Sequence, residues 1–295
     1  MMENLERNYD ENQENGPVII GFLWAPGLGK TVAMHVVENE DNLKDVKESL
    51  GRDEDVKVWV ARKATSRPNR WADDVLKISG VPEEEFVEHK DQYVWEYTLT
   101  NNNAKYAYPK AELEKDADVL VAEPSIWHLW EMKKYLWDRL VITLIAADTN
   151  YRKERMNWRW TEEVSQINKR LVEWDVQIFI ASKLSGEDGK ILPKLVDPRW
   201  LEIYEKIYAS NGDEKYLWEL KDYIFDLVGD EAFAEKSSKE YFNMIVKNIQ
   251  NEEGAKLFDH IIVRSLEKDE PEDKMLTQWF FRDSIINIVK EHLKK

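Results

Sequence analysis

The stretch that most constrains the fold of this chain is Val18 to Val37, where an apolar run, a turn and a helical segment follow one another. Val18 to Leu23 predicts a buried strand of the parallel-sheet kind. A Gly/Pro-rich turn comes next, and Thr31 to Val37 predicts a helix. This order of strand, glycine turn, Gly-Lys-Thr and helix is the arrangement of a phosphate-binding loop.

The turn carries the residue types that bind phosphate, namely Gly27, Leu28, Gly29, Lys30 and Thr31. The two glycines allow backbone N–H groups to point inward, the helix N-terminus adds partial positive charge, and Lys30 adds a full charge. Thr31 is placed to put its hydroxyl on a magnesium ion. These residues predict a site for ATP with Mg²⁺.

Trp24 stands where the usual G-x-x-x-x-G-K-[ST] motif has its first glycine. Two other interpretations therefore stay open. One is a chance Gly-Lys-Thr after a buried strand, and the other is a loop that keeps the fold but has lost nucleotide affinity.

Composition narrows the class of protein. The 295 residues include no cysteine, which excludes disulfides, thiolate metal sites and cysteine nucleophiles and fits a cytoplasmic location. A net charge of −16 disfavours general nucleic-acid binding. We expect no membrane-spanning segment, and we expect the acidic residues 1–16 to be a disordered lead-in rather than a signal peptide.

Apolar runs that alternate with helical segments predict an α/β fold with a parallel sheet in three layers. The four further predicted strands are Val56 to Ala61, Ala117 to Pro124, Leu140 to Ala147 and Val176 to Ala181. Val81 to Tyr97 is predicted to be helical. After a linker, residues 196–295 predict an all-helical region of unknown role, so the expected domains are 17–195 and 196–295.

Several polar residues lie where such a sheet would use them. Arg62 to Arg70 contains four cations and two hydroxyls directly after a strand, which favours phosphate binding, although a solvated loop is the simpler interpretation. Glu123 ends another predicted strand, where a carboxylate is a candidate for holding magnesium-bound water or substrate. The five histidines are scattered and show no metal-ligand spacing.

These motifs, taken in order over about residues 17 to 183, resemble the guanylate kinase family of P-loop kinases. Trp24 to Thr31 stands in place of the family's phosphate loop, and Thr65 to Arg70 resembles its T-T-R-x-x-R segment. Ala104 to Tyr108 is similar to its G-N-x-Y-G-T loop. Trp158 to Glu163, followed by Arg170, resembles its arginine-bearing lid, here about residues 152–171.

The resemblance implies roles for individual residues. Arg67, Arg70, Thr65 and Tyr106 would hold the acceptor phosphate. Arg159 and Arg170 would embrace the transferring phosphoryl group, and Arg155 would be a further lid arginine on the nucleotide. Glu96 lies one residue from the place of the family's base-reading glutamate, and Glu123 is the carboxylate that survives from its D-x-D motif.

The expected function is therefore transfer of the γ-phosphoryl group of ATP to a nucleoside monophosphate or a similar small phosphorylated acceptor. Two alternatives remain at the level of sequence. One is a non-catalytic interaction module of the same fold, with a protein partner bound through the helical C-terminal part or an aromatic surface. The other is a kinase acting on a modified base in DNA. The sequence does not name the acceptor or the oligomeric state.

Overall fold

The computed structural model describes residues 16–24, 44, 47–48, 55–68, 77–98, 103–136, 139–147, 151–152, 163–185, 195–250, 258–264 and 274–293. The strands within these residues are β1 (Val18–Trp24), β2 (Val58–Val60), β3 (Lys63–Thr65), β4 (Lys77–Ser79), β5 (Tyr93–Thr98), β6 (Lys105–Pro109), β7 (Val119–Ala122), β8 (Leu140–Ala147) and β9 (His260–Arg264). The α-helices are α1 (Glu83–Glu88), α2 (Lys110–Leu113), α3 (Leu129–Leu136), α4 (Val164–Ser185), α5 (Pro198–Ala209), α6 (Lys215–Val228), α7 (Glu231–Gln250) and α8 (Lys274–Leu293).

A five-stranded parallel sheet forms the centre of the protein, with strand order β2-β7-β1-β8-β9. In its middle strand, Ile20 lies opposite Val121 on one side and Val141 on the other. Both faces of β1 are buried, which explains why its sequence is a continuous apolar run. The predicted five-stranded parallel sheet is confirmed.

The fifth strand of this sheet is not the one that the sequence predicts. Val176 to Ala181 lies inside α4, so its assignment as a strand is wrong. All six residues are buried, and a short apolar run buried on every side has no periodicity that separates helix from strand. The fifth strand is β9, which pairs with β8 from Thr143 opposite His260 to Ala147 opposite Arg264.

Helices cover the central sheet on both faces. On one face, Ile285, Ile286, Ile288 and Val289 of α8 pack against β1 residues such as Ile20 and Phe22. On the other, Ile19 and Leu23 belong to a core shared with α3 to α7. This gives the predicted three layers with further C-terminal helices. β9 and α8 both follow residue 195. The central sheet and the helices packed on it therefore contain residues from both sides of the domain boundary predicted there.

A second sheet, with strand order β4-β3-β6-β5, is a feature that the sequence analysis does not predict. Of the segment predicted to be helical, Glu83–Glu88 forms α1, whereas Tyr93–Thr98 forms β5 and pairs antiparallel with β6. The pairing shifts register between Val94 and Tyr97, and Trp95 between them has a φ of 55°. This irregularity has the character of a β-bulge, which redirects the side chains that follow it.

None of the helices in the described part of the chain is long and apolar enough to cross a membrane.

Candidate functional site

The candidate site lies at the carboxyl end of β7, where the strand order of the central sheet reverses. The chain passes from β1 to β2 and β7 on one side, and then to β8 on the other side of β1. In open parallel sheets, ligands bind outside the carboxyl ends of the strands at such a reversal. Glu123 follows β7 directly, and its backbone N–H donates to the Tyr108 hydroxyl of the second sheet at 2.8 Å. The two sheets therefore meet at this edge.

The residues predicted to hold the nucleotide lie outside the described part of the chain. They are Gly27, Leu28, Gly29, Lys30 and Thr31, and Arg70, Arg155 and Arg159 lie outside it as well. Their roles stay predictions. The structure does describe β1, the strand that precedes the glycine-rich turn, and β1 lies beside the reversal in strand order.

An ion pair joins the second sheet to the end of β7. Lys63 Nζ of β3 lies 3.0 Å from Glu123 Oε2, and the two side chains are only 5% and 15% exposed. Burial lowers the pKa of Lys63, but the Glu123 carboxylate and the nearby tyrosines oppose this and hold the pKa well above its usual value. Lys63 is consequently charged at neutral pH, and the buried charge of Glu123 is compensated.

Aromatic side chains surround this ion pair. Lys63 Nζ donates a hydrogen bond to the Tyr97 hydroxyl at 3.1 Å. It lies 5.8 Å from the ring centroids of both Tyr97 and Tyr106. These two rings stack at 5.4 Å with an interplanar angle of 15°. The His128 ring is 5.9 Å from that of Tyr97, and His128 Nδ1 lies 2.8 Å from Glu131 Oε2.

Burial is the largest influence on the pKa values of Tyr97 and Tyr108. It raises the pKa of Tyr97 to about 12, with the Glu123 charge adding to the rise and Lys63 opposing it. It also raises the pKa of Tyr108 above its usual value. Both phenols are therefore neutral at physiological pH. The candidate site is therefore lined by tyrosine rings, and the ion pair of Lys63 and Glu123 lies among them.

The predicted acceptor segment begins in β3 and is held by both neighbouring strands. Thr65 is fully buried, lies opposite Tyr106 of β6 and Ser79 of β4, and its hydroxyl accepts the Arg67 N–H at 3.2 Å. The Arg67 carbonyl accepts the Gly80 N–H at 2.9 Å. Thr65 thus shapes the turn that carries the partly exposed Arg67 beyond the end of β3.

The cations of the basic segment Arg62 to Arg70 do not all have the same surroundings. Arg62 donates from its backbone N–H and from Nη2 to Glu112, both at 2.9 Å, and Lys63 faces Glu123. Two of its four cations are therefore matched by carboxylates of the protein. Lys63 and Glu123 form the pair that sequence reasoning missed, because all three residues of β3 are buried and no pattern in the sequence matches Lys63 with a carboxylate so distant in the chain.

Glu96 does not join the candidate site. Its side chain is exposed and lies 3.4 Å from Lys105 Nζ. Side chains alternate across a strand, so Glu96 and Tyr97 face opposite sides of the second sheet. The irregular pairing at Trp95 sets which residue faces inward, and it places Tyr97 beside Tyr106. The contact of Glu96 with a substrate stays a prediction, which this placement does not support.

Arg170, the one predicted lid arginine that the structure describes, is a partly exposed residue of α4. Its neighbours anchor the helix to the C-terminal helices. Lys169 Nζ lies 2.6 Å from Asp230 Oδ2, and Asn168 Nδ2 donates to the Leu227 carbonyl at 2.8 Å. The helix that bears Arg170 is therefore fastened along the side next to α6 and α7.

Comparison with known proteins finds similarity only in structure. No family model matches the sequence, and no curated protein matches it either. Among solved structures, guanylate kinase from Anaplasma phagocytophilum is similar, with 12% identity, a TM-score of 0.43 and coverage of 95% of this chain and 88% of that one. The α/β fold class itself rests on the strand order and strand directions given above.

Proposed function

We propose that the protein is an ATP-dependent phosphotransferase that moves the γ-phosphoryl group of magnesium ATP to a nucleoside monophosphate or a similar small phosphorylated acceptor. The observation that carries the proposal is the ion pair between Lys63 and Glu123. It ties the sheet bearing the predicted acceptor residues Arg67 and Tyr106 to the edge of the central sheet where the predicted nucleotide loop begins.

The proposed reaction needs little covalent chemistry from the protein. An oxygen of the acceptor phosphate attacks the γ-phosphorus, the bond from that phosphorus to the bridging oxygen breaks, and ADP leaves. Negative charge develops on the equatorial oxygens, where cationic side chains stabilise it. We assign this task to Lys30, Arg159 and Arg170, with Thr31 on the magnesium ion that enters with ATP.

The acceptor is held mainly through its phosphate in this proposal. Arg67 supplies a forked guanidinium, and Arg70 and Tyr106 are predicted to join it. Glu96 faces the other side of its sheet, and Lys63 compensates Glu123. Neither Glu96 nor Glu123 is therefore placed as an uncompensated carboxylate that could bind a guanine base. This supports an acceptor other than guanosine monophosphate.

The test is turnover of magnesium ATP against a panel of nucleoside monophosphates and pentose phosphates, with binding of each compound measured by calorimetry. We expect one acceptor class to be phosphorylated. Lys30→Ala should lower kcat by roughly 10²–10³-fold, the loss typical for one group that stabilises developing charge. Lys215→Ala is the matched control, because Lys215 is an exposed residue at the start of α6.

A second arm of the same experiment addresses the acceptor segment. Arg67→Ala should raise the KM for the acceptor by roughly 10–100-fold, as expected for a lost charge-assisted hydrogen bond, and leave the KM for ATP unchanged. Arg199→Ala, at an exposed position of α5, should change neither constant. Unchanged turnover in Lys30→Ala would refute the proposal. Failure of the wild-type chain to bind ATP would favour an interaction module instead.

A further inference from the structure

Two histidines far apart in sequence meet where the last helix crosses the edge strand of the central sheet. His260 begins β9, whereas Glu291 and His292 lie in the final turn of α8. The Nε2 atoms of the two imidazoles are 3.3 Å apart, and their rings are nearly perpendicular, at 84°. One ligand atom from each of the three residues lies within 4.8 Å of those from the other two.

We propose that His260, Glu291 and His292 bind a divalent transition metal of the zinc class. Zinc bonds to imidazole nitrogen at about 2.0–2.1 Å in tetrahedral sites, so two such ligands are separated by about 3.4 Å. The observed separation of the two Nε2 atoms is close to that value. A direct hydrogen bond between the rings would also give this distance, and the carboxylate of Glu291 adds a third ligand atom within 4.8 Å of the other two.

The ligand types define the class of metal. Imidazole nitrogen suits Zn²⁺, Cu²⁺ and Ni²⁺, whereas Mg²⁺ and Ca²⁺ prefer oxygen ligands only. Glu291 supplies one negative charge, which partly compensates the cation. Because Glu291 is exposed, the fourth position of a tetrahedral site opens toward water.

Such a metal would bridge the first residue of β9 and the final turn of α8, two places that lie 32 residues apart in the chain. β9 is the edge of the central sheet, and α8 covers one face of that sheet through four buried aliphatic side chains. A metal between them would fasten the edge strand to its covering helix. This role is independent of the proposed phosphotransfer, and its site lies on strands other than the candidate site.

The test uses the full chain without an affinity tag, treated with a chelator and then titrated with Zn²⁺ alone by calorimetry and with Co²⁺ alone by visible absorption. We expect one zinc ion per chain, four-coordinate cobalt bands, and a rise in the melting temperature. His260→Gln and His292→Gln should each weaken Zn²⁺ binding at least tenfold, since even changes outside the ligand set cost 10–100-fold. His89→Gln should keep full affinity, because His89, whose ring lies 3.9 Å from the Glu85 carboxylate, does not belong to the group of His260, Glu291 and His292.

Urea unfolding of the metal-free variants distinguishes loss of ligand from loss of fold. If a histidine variant fails to fold, Glu291→Gln at its exposed position takes its place and should weaken Zn²⁺ binding by about tenfold. No binding of Zn²⁺ by the wild-type chain would overturn the proposal. So would full affinity in both folded histidine variants, or tighter binding of Mg²⁺ than of Zn²⁺.

Discussion

Lys63 shows how a single buried charge constrains the rest of this protein. A lysine at this depth needs a partner, because an isolated ammonium group loses its hydration on burial. Its partner Glu123 comes from the other sheet, and the Tyr97 hydroxyl accepts one of its protons in a hydrogen bond. The pair therefore specifies how the two sheets meet, as well as which side chains line the candidate site.

We predict that Lys63→Met lowers the free energy of unfolding by about 3–5 kcal/mol, because it leaves Glu123 with an uncompensated charge in a largely buried place. Lys57→Met is the matched control. Lys57 pairs with Asp116 on the surface, and the loss of such a pair costs at most about 1 kcal/mol. Urea unfolding measures both changes, and the double variant Lys63→Met/Glu123→Gln should recover part of the loss. Equal effects of the two single variants would contradict this account.

The same pair gives the stability a dependence on alkaline pH. The pKa of Lys63 is raised above 10.5 in the folded state, and that of Tyr97 is raised from 10.0 to about 12. Both groups hold their protons more tightly when folded, so this stability is complete below about pH 10 and is lost as the pH rises further. Unfolding measured between pH 9 and pH 11 should show a steeper fall in the wild type than in Tyr97→Phe. Parallel curves would count against the role of Tyr97.

At the scale of elements, α5 shows a helix start that the sequence encodes locally. Asp197 precedes Pro198, its side chain accepts the Arg199 N–H at 2.9 Å, and the proline occupies the first turn where its missing N–H is harmless. The helix then buries Trp200 and Tyr204 against the shared core. Capping and packing thus act on the same element.

We predict that Asp197→Ala lowers the free energy of unfolding by about 0.5–2 kcal/mol, the usual cost of losing a helix cap. Asp197→Asn should lose much less, because its amide oxygen can still accept the Arg199 N–H. Thermal or urea unfolding of the two variants provides the comparison. If asparagine is as harmful as alanine, the contribution of Asp197 is its charge rather than the cap.

At the scale of the whole molecule, the sheet and its cover depend on the last part of the chain. β9 supplies the fifth strand, and α8 buries four aliphatic side chains against the sheet, each worth roughly 1.5–3 kcal/mol. That sum is comparable to the total stability of a typical domain. The region 17–195 predicted as a domain is therefore not complete as a sheet.

We predict that a chain ending at residue 250 does not fold cooperatively, because it lacks both β9 and α8. A chain beginning at residue 16 is the control, since the sequence predicts its missing residues to be a disordered lead-in. Near-ultraviolet circular dichroism and urea unfolding should show native packing in the control only. A cooperative transition of wild-type midpoint in the chain ending at 250 would contradict the structural role of its last elements.

The local sequence was enough to predict four strands of the central parallel sheet. Four of its strands, β1, β2, β7 and β8, are apolar runs bounded by polar or turn residues, a pattern that needs no knowledge of distant contacts. The strand end at Glu123 and the basic segment around Arg67 followed from the same pattern. Each of these features can be predicted from a few neighbouring residues in the sequence.

Only the tertiary structure decided the remaining features, because each depends on residues that are distant in the chain. Val176 to Ala181 is buried on every side and takes its helical state as part of the long helix α4, and the β9 strand is defined by its pairing with β8. Lys63 meets Glu123 through the contact of two sheets, and His260 meets His292 where a helix crosses a strand. No local pattern distinguishes these residues, since periodicity reports which face is buried and not what lies against it.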